Sequence, residues 1–431
     1  MKILLIYPAP KEIYYNKNII QRTFLDLMPT SLSLMILASL VPKHHFVKII
    51  DERYEKINFD NNYDLIGISC YTYNVSRGYQ IADEFRKRGK KVILGGWHPS
   101  ALPIEAKCHA DSVVIGEAEE TWPQLLKDFE NGKLKLYYKQ ERPVDPKIIP
   151  NARRDLIYNK IKNACIQATR GCPIGCEFCS AGTMELIKLF RPRPIKNVIE
   201  EIESIKQKNI IFNDPSLTID PIYTKQLFKE MRSLNKNFIC DGNIDVLHKD
   251  DELLKLASEA GCLEWEIGFE SVLQQAINSI GKKTNLVEEY KQAITKIHDY
   301  GMDILGCFIF GFDTDSKKSF NITNYEINRI GLSKILFNIL TPYPGTPLFS
   351  RLEKEGRILT KEWSKYTGKN VVFKPKNITK EELQTEFIEI TQKFYSSKEI
   401  FKRFIRSNNK HLKLSLLKLS SNSFILRYIY K

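Results

Sequence analysis

Short apolar runs separated by helical stretches recur along the chain, and they come in two series. The first series is KILLIY (2–7), FVKII (46–50), DLIGIS (64–69), KVILGG (91–96) and DSVVIG (111–116). Helical patterns lie near 31–42, 74–89 and 100–109, with another at 118–130. The runs are almost wholly apolar, the mark of strands covered on both faces. Strands of this kind alternating with helices form a parallel sheet between helical layers.

Five such strands predict a flavodoxin-like or Rossmann-like doubly wound domain over residues 1–140. The second series is CIQATR (165–170), NIIFND (209–214), NFICDGNI (237–244), LEWEIGFE (263–270), DILGCFIFG (303–311) and KILFNILTP (334–342), which makes six β/α units. A chain of 431 residues is too long for one ordinary core. A linker is expected over 141–160, a second α/β domain over 161–375, and a helical, basic extension over 376–431.

The opening MKILLIYPAP is too short for a signal segment, and no apolar run reaches the length of a membrane span. A cytoplasmic location is therefore expected, where clustered cysteines bind metal more often than they form disulfides. The net charge of +14 is unevenly spread. Residues 398–431 carry nine Lys/Arg and one acid, Glu399, so the excess describes a tail and not a nucleic-acid-binding fold.

Three of the nine cysteines crowd into TRGCPIGCEFCS (169–180), as Cys172, Cys176 and Cys179. A disulfide uses only two thiols. Structural zinc takes four ligands, commonly as two separated pairs, and the chain has a single Cys-x-x-Cys. The remaining cysteines (70, 108, 165, 240, 262 and 307) are scattered, mostly within apolar stretches. A 4Fe–4S cubane fits better: three thiolates hold three irons and leave the fourth open to a ligand. On the strand EWEIGFES, alternate residues share a face. On a barrel strand covered by helices, Glu264, Glu266 and Glu270 would point into the lumen and Trp265, Ile267 and Phe269 outward; on an edge strand the same carboxylates would form a wet face.

With an aromatic before its last cysteine, CPIGCEFC resembles the signature loop of the radical S-adenosylmethionine superfamily. The resemblance implies a partial (β/α)6 TIM-type barrel and a cluster on Cys172, Cys176 and Cys179. It also implies an open iron that binds the amino and carboxylate groups of S-adenosylmethionine, whose reductive cleavage yields a 5′-deoxyadenosyl radical. By the same resemblance, Phe178 lies beside the adenine, and Asn213, Asp214 and Glu270 contact S-adenosylmethionine. Upstream, VILGGWHPSALPIEA and ADSVVIGEAEETWPQLL resemble the cobalamin-binding domain that precedes many such barrels. The cobalamin contacts it implies are Cys70, Tyr71, Gly95, Gly96, His98 and Glu117, at the strand ends where doubly wound sheets bind ligands. No histidine here has Asp two residues before it, so the Asp-x-His-x-x-Gly motif is absent. Either cobalamin sits without a histidine lower ligand, or the domain has lost it.

The resemblance implies methylation of an unactivated carbon or phosphorus centre in a small-molecule or lipid-like substrate, fed by an external donor such as flavodoxin or ferredoxin. Cyclisation or rearrangement is the alternative within the same architecture. A tRNA methylthiotransferase would need three further cysteines in the first domain, which offers only Cys70 and Cys108. A non-enzymatic iron–sulfur sensor or scaffold is the remaining reading. The tail opens with a capping-box pattern, Thr379 to Glu382, and carries an apolar stripe through Phe387, Ile390, Phe394, Phe401, Phe404 and Ile405. It reads as a helix capping the barrel, or as a basic surface for an anionic membrane or acidic partner.

Overall fold

The computed structural model of the protein describes residues 1–10, 31–157 and 163–406. The first sheet contains β1 (Lys2–Tyr7), β2 (Phe46–Asp51), β3 (Leu65–Ser69), β4 (Lys91–Gly95), β5 (Ser112–Ile115) and β6 (Tyr137–Lys139). The strands are parallel, in the order β2-β1-β3-β4-β5-β6. Residues 3–6 of β1 are fully buried, as expected of a strand sandwiched between helical layers. The order reverses between β1 and β3, which opens a crevice at their carboxyl ends. β6 is absent from the sequence expectation: it is three residues long and buries only Tyr138, so it has no apolar run to betray it.

The expected strand over 165–170 is broken. β7 (Ala164–Ile166) stops early, and β8 (Thr169–Arg170) pairs antiparallel with β9 (Arg191–Pro192). Asp214 is the cause. Its carboxylate accepts the amide of Ala168 at 3.0 Å, the amide of Thr169 and the Thr169 hydroxyl at 2.7 Å, which draws two amides out of the ladder.

The second sheet continues with β10 (Asn209–Phe212), β11 (Asn237–Asp241), β12 (Cys262–Glu270), β13 (Asp303–Phe310) and β14 (Lys334–Ile339). Its order is β14-β13-β12-β11-β10-β7, all parallel. β7 and β14 are not paired with each other, so the barrel is open. On β12, Trp265, Ile267 and Phe269 are fully buried in the barrel core, on the face opposite the carboxylates.

Residues after β14 tie the two sheets together. In the helix Pro347–Lys354, Leu348 and Leu352 enter the barrel core, while Phe349 joins Trp363 and Tyr366 in the core beneath the first sheet. The helix Lys380–Phe394 has the expected capping box: Thr379 Oγ1 accepts the Glu382 amide at 3.1 Å, and Glu382 accepts the Thr379 amide at 3.0 Å. Leu383, Phe387, Ile390 and Phe394 cover the barrel. In the next helix, Ser397–Arg406, the apolar stripe divides, with Phe401 and Ile405 exposed. The rest of the basic tail, residues 407–431, lies outside the described residues. Among those described, no helix is long and apolar enough to cross a membrane.

Candidate active site

A cavity of about 560 Å³ lies between the carboxyl ends of the first sheet and the cysteine loop. Its first wall is built from Cys70, Tyr71, Gly95, Gly96 and Glu117, and the opposite wall from Cys172, Cys179, Asn213 and Asp214. The structure thus brings members of both groups of sequence-predicted residues to one space, although they come from separate sheets.

At the first wall, Gly96 has φ of +98°. A Cβ there would stand 2.6 Å from the Cys70 carbonyl oxygen and 2.9 Å from its amide nitrogen. The backbones of the β3 and β4 ends therefore meet directly, leaving a flat, side-chain-free cradle. Cys70 contributes backbone to it, since its thiol is buried against the helix at Gly78. Tyr71 and Tyr73 stack 5.7 Å apart, and the Tyr73 hydroxyl meets that of Tyr7 at 2.6 Å. Burial pushes Tyr71 up to about 12, so these phenols stay neutral.

His98 stands apart from this wall. Its imidazole is fully buried, with Nδ1 3.2 Å from Thr72 Oγ1 and Nε2 3.1 Å from Glu105, which also accepts from Trp363 Nε1 at 2.9 Å. Glu117 lines the cavity, but its carboxylate is engaged by Arg191 at 2.7 and 2.9 Å and by Arg170 at 3.3 Å. Burial alone would raise Glu117, but the bond from Arg191, the charges of Arg170 and Arg191 and the Val144 amide together outweigh it, so the group is held low. Arg191 and Arg193 both belong to RPRP, and Arg193 pairs with the buried Glu201 at 2.7 Å. Arg191 thus ties the barrel to Glu117 of the first domain, whereas Arg193 is held within the barrel domain by Glu201 and the Gln167 carbonyl.

At the second wall, Gly171 has φ of +81°, and a Cβ there would stand 2.0 Å from the Leu189 carbonyl oxygen, so only glycine turns the chain into the cysteine loop. Burial raises Cys172, and it raises Cys176 to about 12, so without a metal these thiols hold their protons. Among the described residues, only His44, His45 and Glu130 bring three ligand atoms within 4.8 Å of one another. That group lies at the far edge of the first sheet, with His44 and Glu130 largely exposed. The three cysteine sulfurs therefore do not all lie within 4.8 Å of one another.

Asn213 is exposed into the cavity, whereas Asp214 is fully occupied by the three donors that break the strand. Burial drives Asp214 up to about 6 against those bonds. Glu270 and Phe178 do not line this cavity. Phe178 packs against the barrel core. Glu270 lies at a register shift in β12 and has φ of +63°, which turns its carboxylate toward Lys282. Lys282 Nζ donates to Glu270 Oε1 and to the Gly268 carbonyl, each at 2.6 Å. Burial disfavours its charge, but Glu270 and the nearby Cys176 outweigh this, so Lys282 is a buried ammonium beside the cysteine loop. The sequence reading missed it: a lysine twelve residues past Glu270 in IGKKTN carries no pattern of its own.

The other lumen carboxylates have partners within the protein. Glu264 pairs with Lys334, which also holds Asp303 at 2.7 Å. Glu266 accepts from Cys307 Sγ at 3.3 Å. Burial raises Glu266, and Asp241 across the ladder is raised as well, by burial and then by repulsion from Glu266.

The sequence matches the radical SAM superfamily over residues 166–322, the B12 binding domain over 32–126 and a domain of unknown function (DUF4070) over 346–424. It is 34% identical over 388 residues to bacteriochlorophyllide d C-12(1)-methyltransferase of Chlorobaculum tepidum, spanning 86% of this chain and 84% of that protein. It is 31% identical over 408 residues to bacteriochlorophyllide d C-8(2)-methyltransferase of the same organism, spanning 89% of each. In fold it is similar to the cobalamin-dependent S-adenosylmethionine radical enzyme OxsB, with a TM-score of 0.72 at 16% identity, over 99% of this chain and 72% of that one.

Proposed function

From the premise that this chain belongs to the cobalamin-binding radical S-adenosylmethionine methyltransferase family, we propose that it methylates an unactivated carbon of a large, mostly apolar metabolite, with a tetrapyrrole as first candidate. Its cofactors are a 4Fe–4S cluster, S-adenosylmethionine and cobalamin. The observation that carries the proposal is the single cavity walled on one side by the Gly95–Gly96 cradle and on the other by the cysteine loop. The two bacteriochlorophyllide methyltransferases, similar over most of their length, support the substrate class.

When bound, these groups supply a carbon-centred radical and a transferable methyl group. The residues divide the remaining work. Cys172, Cys176 and Cys179 hold the cluster. Lys282, Glu270 and Asn213 offer a cation, a carboxylate and an amide to the zwitterionic end of S-adenosylmethionine, and Phe178 offers a flat face to its adenine. Gly95, Gly96 and Tyr71 would seat the corrin, and His98 is not available to it because Thr72 and Glu105 hold its imidazole. Glu117, Asp214 and the Cys70 thiol hold the walls in place through their protein partners.

An external low-potential donor, flavodoxin or ferredoxin in type, supplies electrons. The exposed Phe401 and Ile405, on a helix that also carries Lys398 and Lys402, support peripheral contact with an anionic membrane through the tail.

The test is an anaerobic incubation of reconstituted holoenzyme with methyl-labelled S-adenosylmethionine, reductant and a bacteriochlorophyllide. Labelled product, with equal amounts of S-adenosylhomocysteine and 5′-deoxyadenosine, is expected. Release of 5′-deoxyadenosine with a cyclised, unlabelled product would overturn methyl transfer in favour of ring formation.

A further inference from the structure

The segment after β14 reaches back to the cysteine loop. Glu177 stands between Cys176 and Phe178 in a tight turn, where the Cys179 amide donates to the Cys176 carbonyl at 2.9 Å. Two contacts from the helix Pro347–Lys354 hold this residue. The Leu348 amide donates to the Glu177 carbonyl at 3.0 Å. The Arg351 guanidinium grips the Glu177 carboxylate, with Nη2 at 2.7 Å from Oε1 and Nε at 3.4 Å from Oε2.

Arg351 is itself held on its other side. Its Nη1 donates to Asp313 Oδ2 at 3.0 Å, in the turn after β13. Asp313 also takes Arg357 at 2.7 Å and Lys376 at 3.1 Å. The helix cannot drift, because Leu348 and Leu352 are buried in the barrel core and Phe349 in the other core. Its N-terminus is fixed by Thr346 Oγ1, which accepts the Phe349 amide at 3.2 Å. A rigid element seated on both domains thus delivers one forked cation to the two-residue gap between two cysteines. Planar, doubly bonded guanidinium contacts fix orientation as well as distance.

We propose that Arg351 is a positioning residue for the iron–sulfur cluster, and that this part of the domain of unknown function serves to lock the cysteine loop against the end of β13. The proposal rests on the assignment of Cys172, Cys176 and Cys179 as cluster ligands. Any displacement of Glu177 moves the two sulfurs that flank it, so the clamp governs how firmly the thiolates retain iron.

The test compares Arg351→Gln, Glu177→Gln, their double variant and Arg351→Lys with the native chain. All are reconstituted anaerobically and measured for iron and sulfide content, iron release to a chelator, and the electron paramagnetic resonance spectrum of the reduced cluster. A triple cysteine-to-alanine variant tests the ligand assignment separately. Iron retained by the triple variant defeats that assignment. Iron lost there, with release from R351Q matching the native rate, defeats the clamp alone. The expected result is iron release roughly fivefold faster in R351Q and E177Q, no faster in the double variant, and the same spectral change in both singles, partly reversed in R351K. A merely structural role would lower the unfolding midpoint of the metal-free protein and leave the spectrum of the surviving holoenzyme unchanged. Additive rates in the double variant, or superimposable spectra, overturn the proposal. Should R351Q fail to fold, E177Q carries the same test from the loop side.

Discussion

Replacing Lys282 with methionine separates architecture from chemistry at this site. Lys282 is about nine-tenths buried, and its ammonium lies 2.6 Å from Glu270 Oε1. At an effective dielectric of about 20, opposite unit charges at that distance attract by roughly 6 kcal/mol. Desolvation of both groups offsets much of this, so the net value of the intact pair is small. Removing only the cation is different, because a buried carboxylate is left without its partner, at about 3–5 kcal/mol. The Gly268 carbonyl does not add to the loss, since Asn285 Nδ2 still donates to it at 2.9 Å. For a cooperative unit the size of the barrel, each kcal/mol shifts the midpoint by about 2–4 °C. The metal-free K282M protein should therefore unfold about 10 °C below the native chain by circular dichroism. The double variant K282M/E270Q removes the stranded charge and should recover most of that shift. Activity should not follow. If Lys282 receives the zwitterionic end of S-adenosylmethionine, release of 5′-deoxyadenosine by the reconstituted double variant stays at least tenfold down while its stability returns. Recovery of both together would refute the ligand-binding role, and a K282M midpoint equal to the native one would refute the electrostatic reasoning.

Gly96→Ala places a methyl group within 2.6 Å of the Cys70 carbonyl in a left-handed backbone, so cobalamin retention, read from the corrinoid absorbance of purified protein, should fall several-fold while iron content is unchanged. At Asp313, burial alone would raise the carboxyl, but Arg357, Lys376 and Arg351 outweigh it and hold the group at about 2. Its stabilising contribution is therefore complete above the ordinary carboxylate range near 4 and is lost as pH falls through about 2. Acid unfolding of Asp313→Asn should show a shallower loss of stability between those limits than the native chain. Removing residues 398–431 should abolish co-sedimentation with liposomes rich in anionic lipid; undiminished binding would exclude the tail as the contact.

Most of the architecture was legible because apolar runs report burial directly. All five expected strands of the first sheet and all six units of the second are present. What escaped had no hydrophobic signature. β6 buries one side chain, and β7 ends early because Asp214, distant in sequence, takes the amides of Ala168 and Thr169. The site was legible to the level of strand ends and no further. The sequence places His98 and Glu117 just past strand ends, but a loop can aim a side chain either way. Here Glu105 and Thr72 capture the first, and Arg170 and Arg191 the second. Lys282 and Arg351 were invisible for a related reason. Each owes its place to a partner, Glu270 or Glu177, that meets it only after the chain has folded.

The unpaired outer strands of the second sheet have a consequence for how such a catalyst can diversify. A closed barrel has a girth set by its ladder, and widening it breaks hydrogen bonds all round. Between β7 and β14 there is no ladder to break. The spacing across that seam can change with the residues that fill it, while the walls carrying the cysteine loop and the glycine cradle keep their register. Guests of very different bulk can then be admitted through successive sequences without rebuilding the reactive centre.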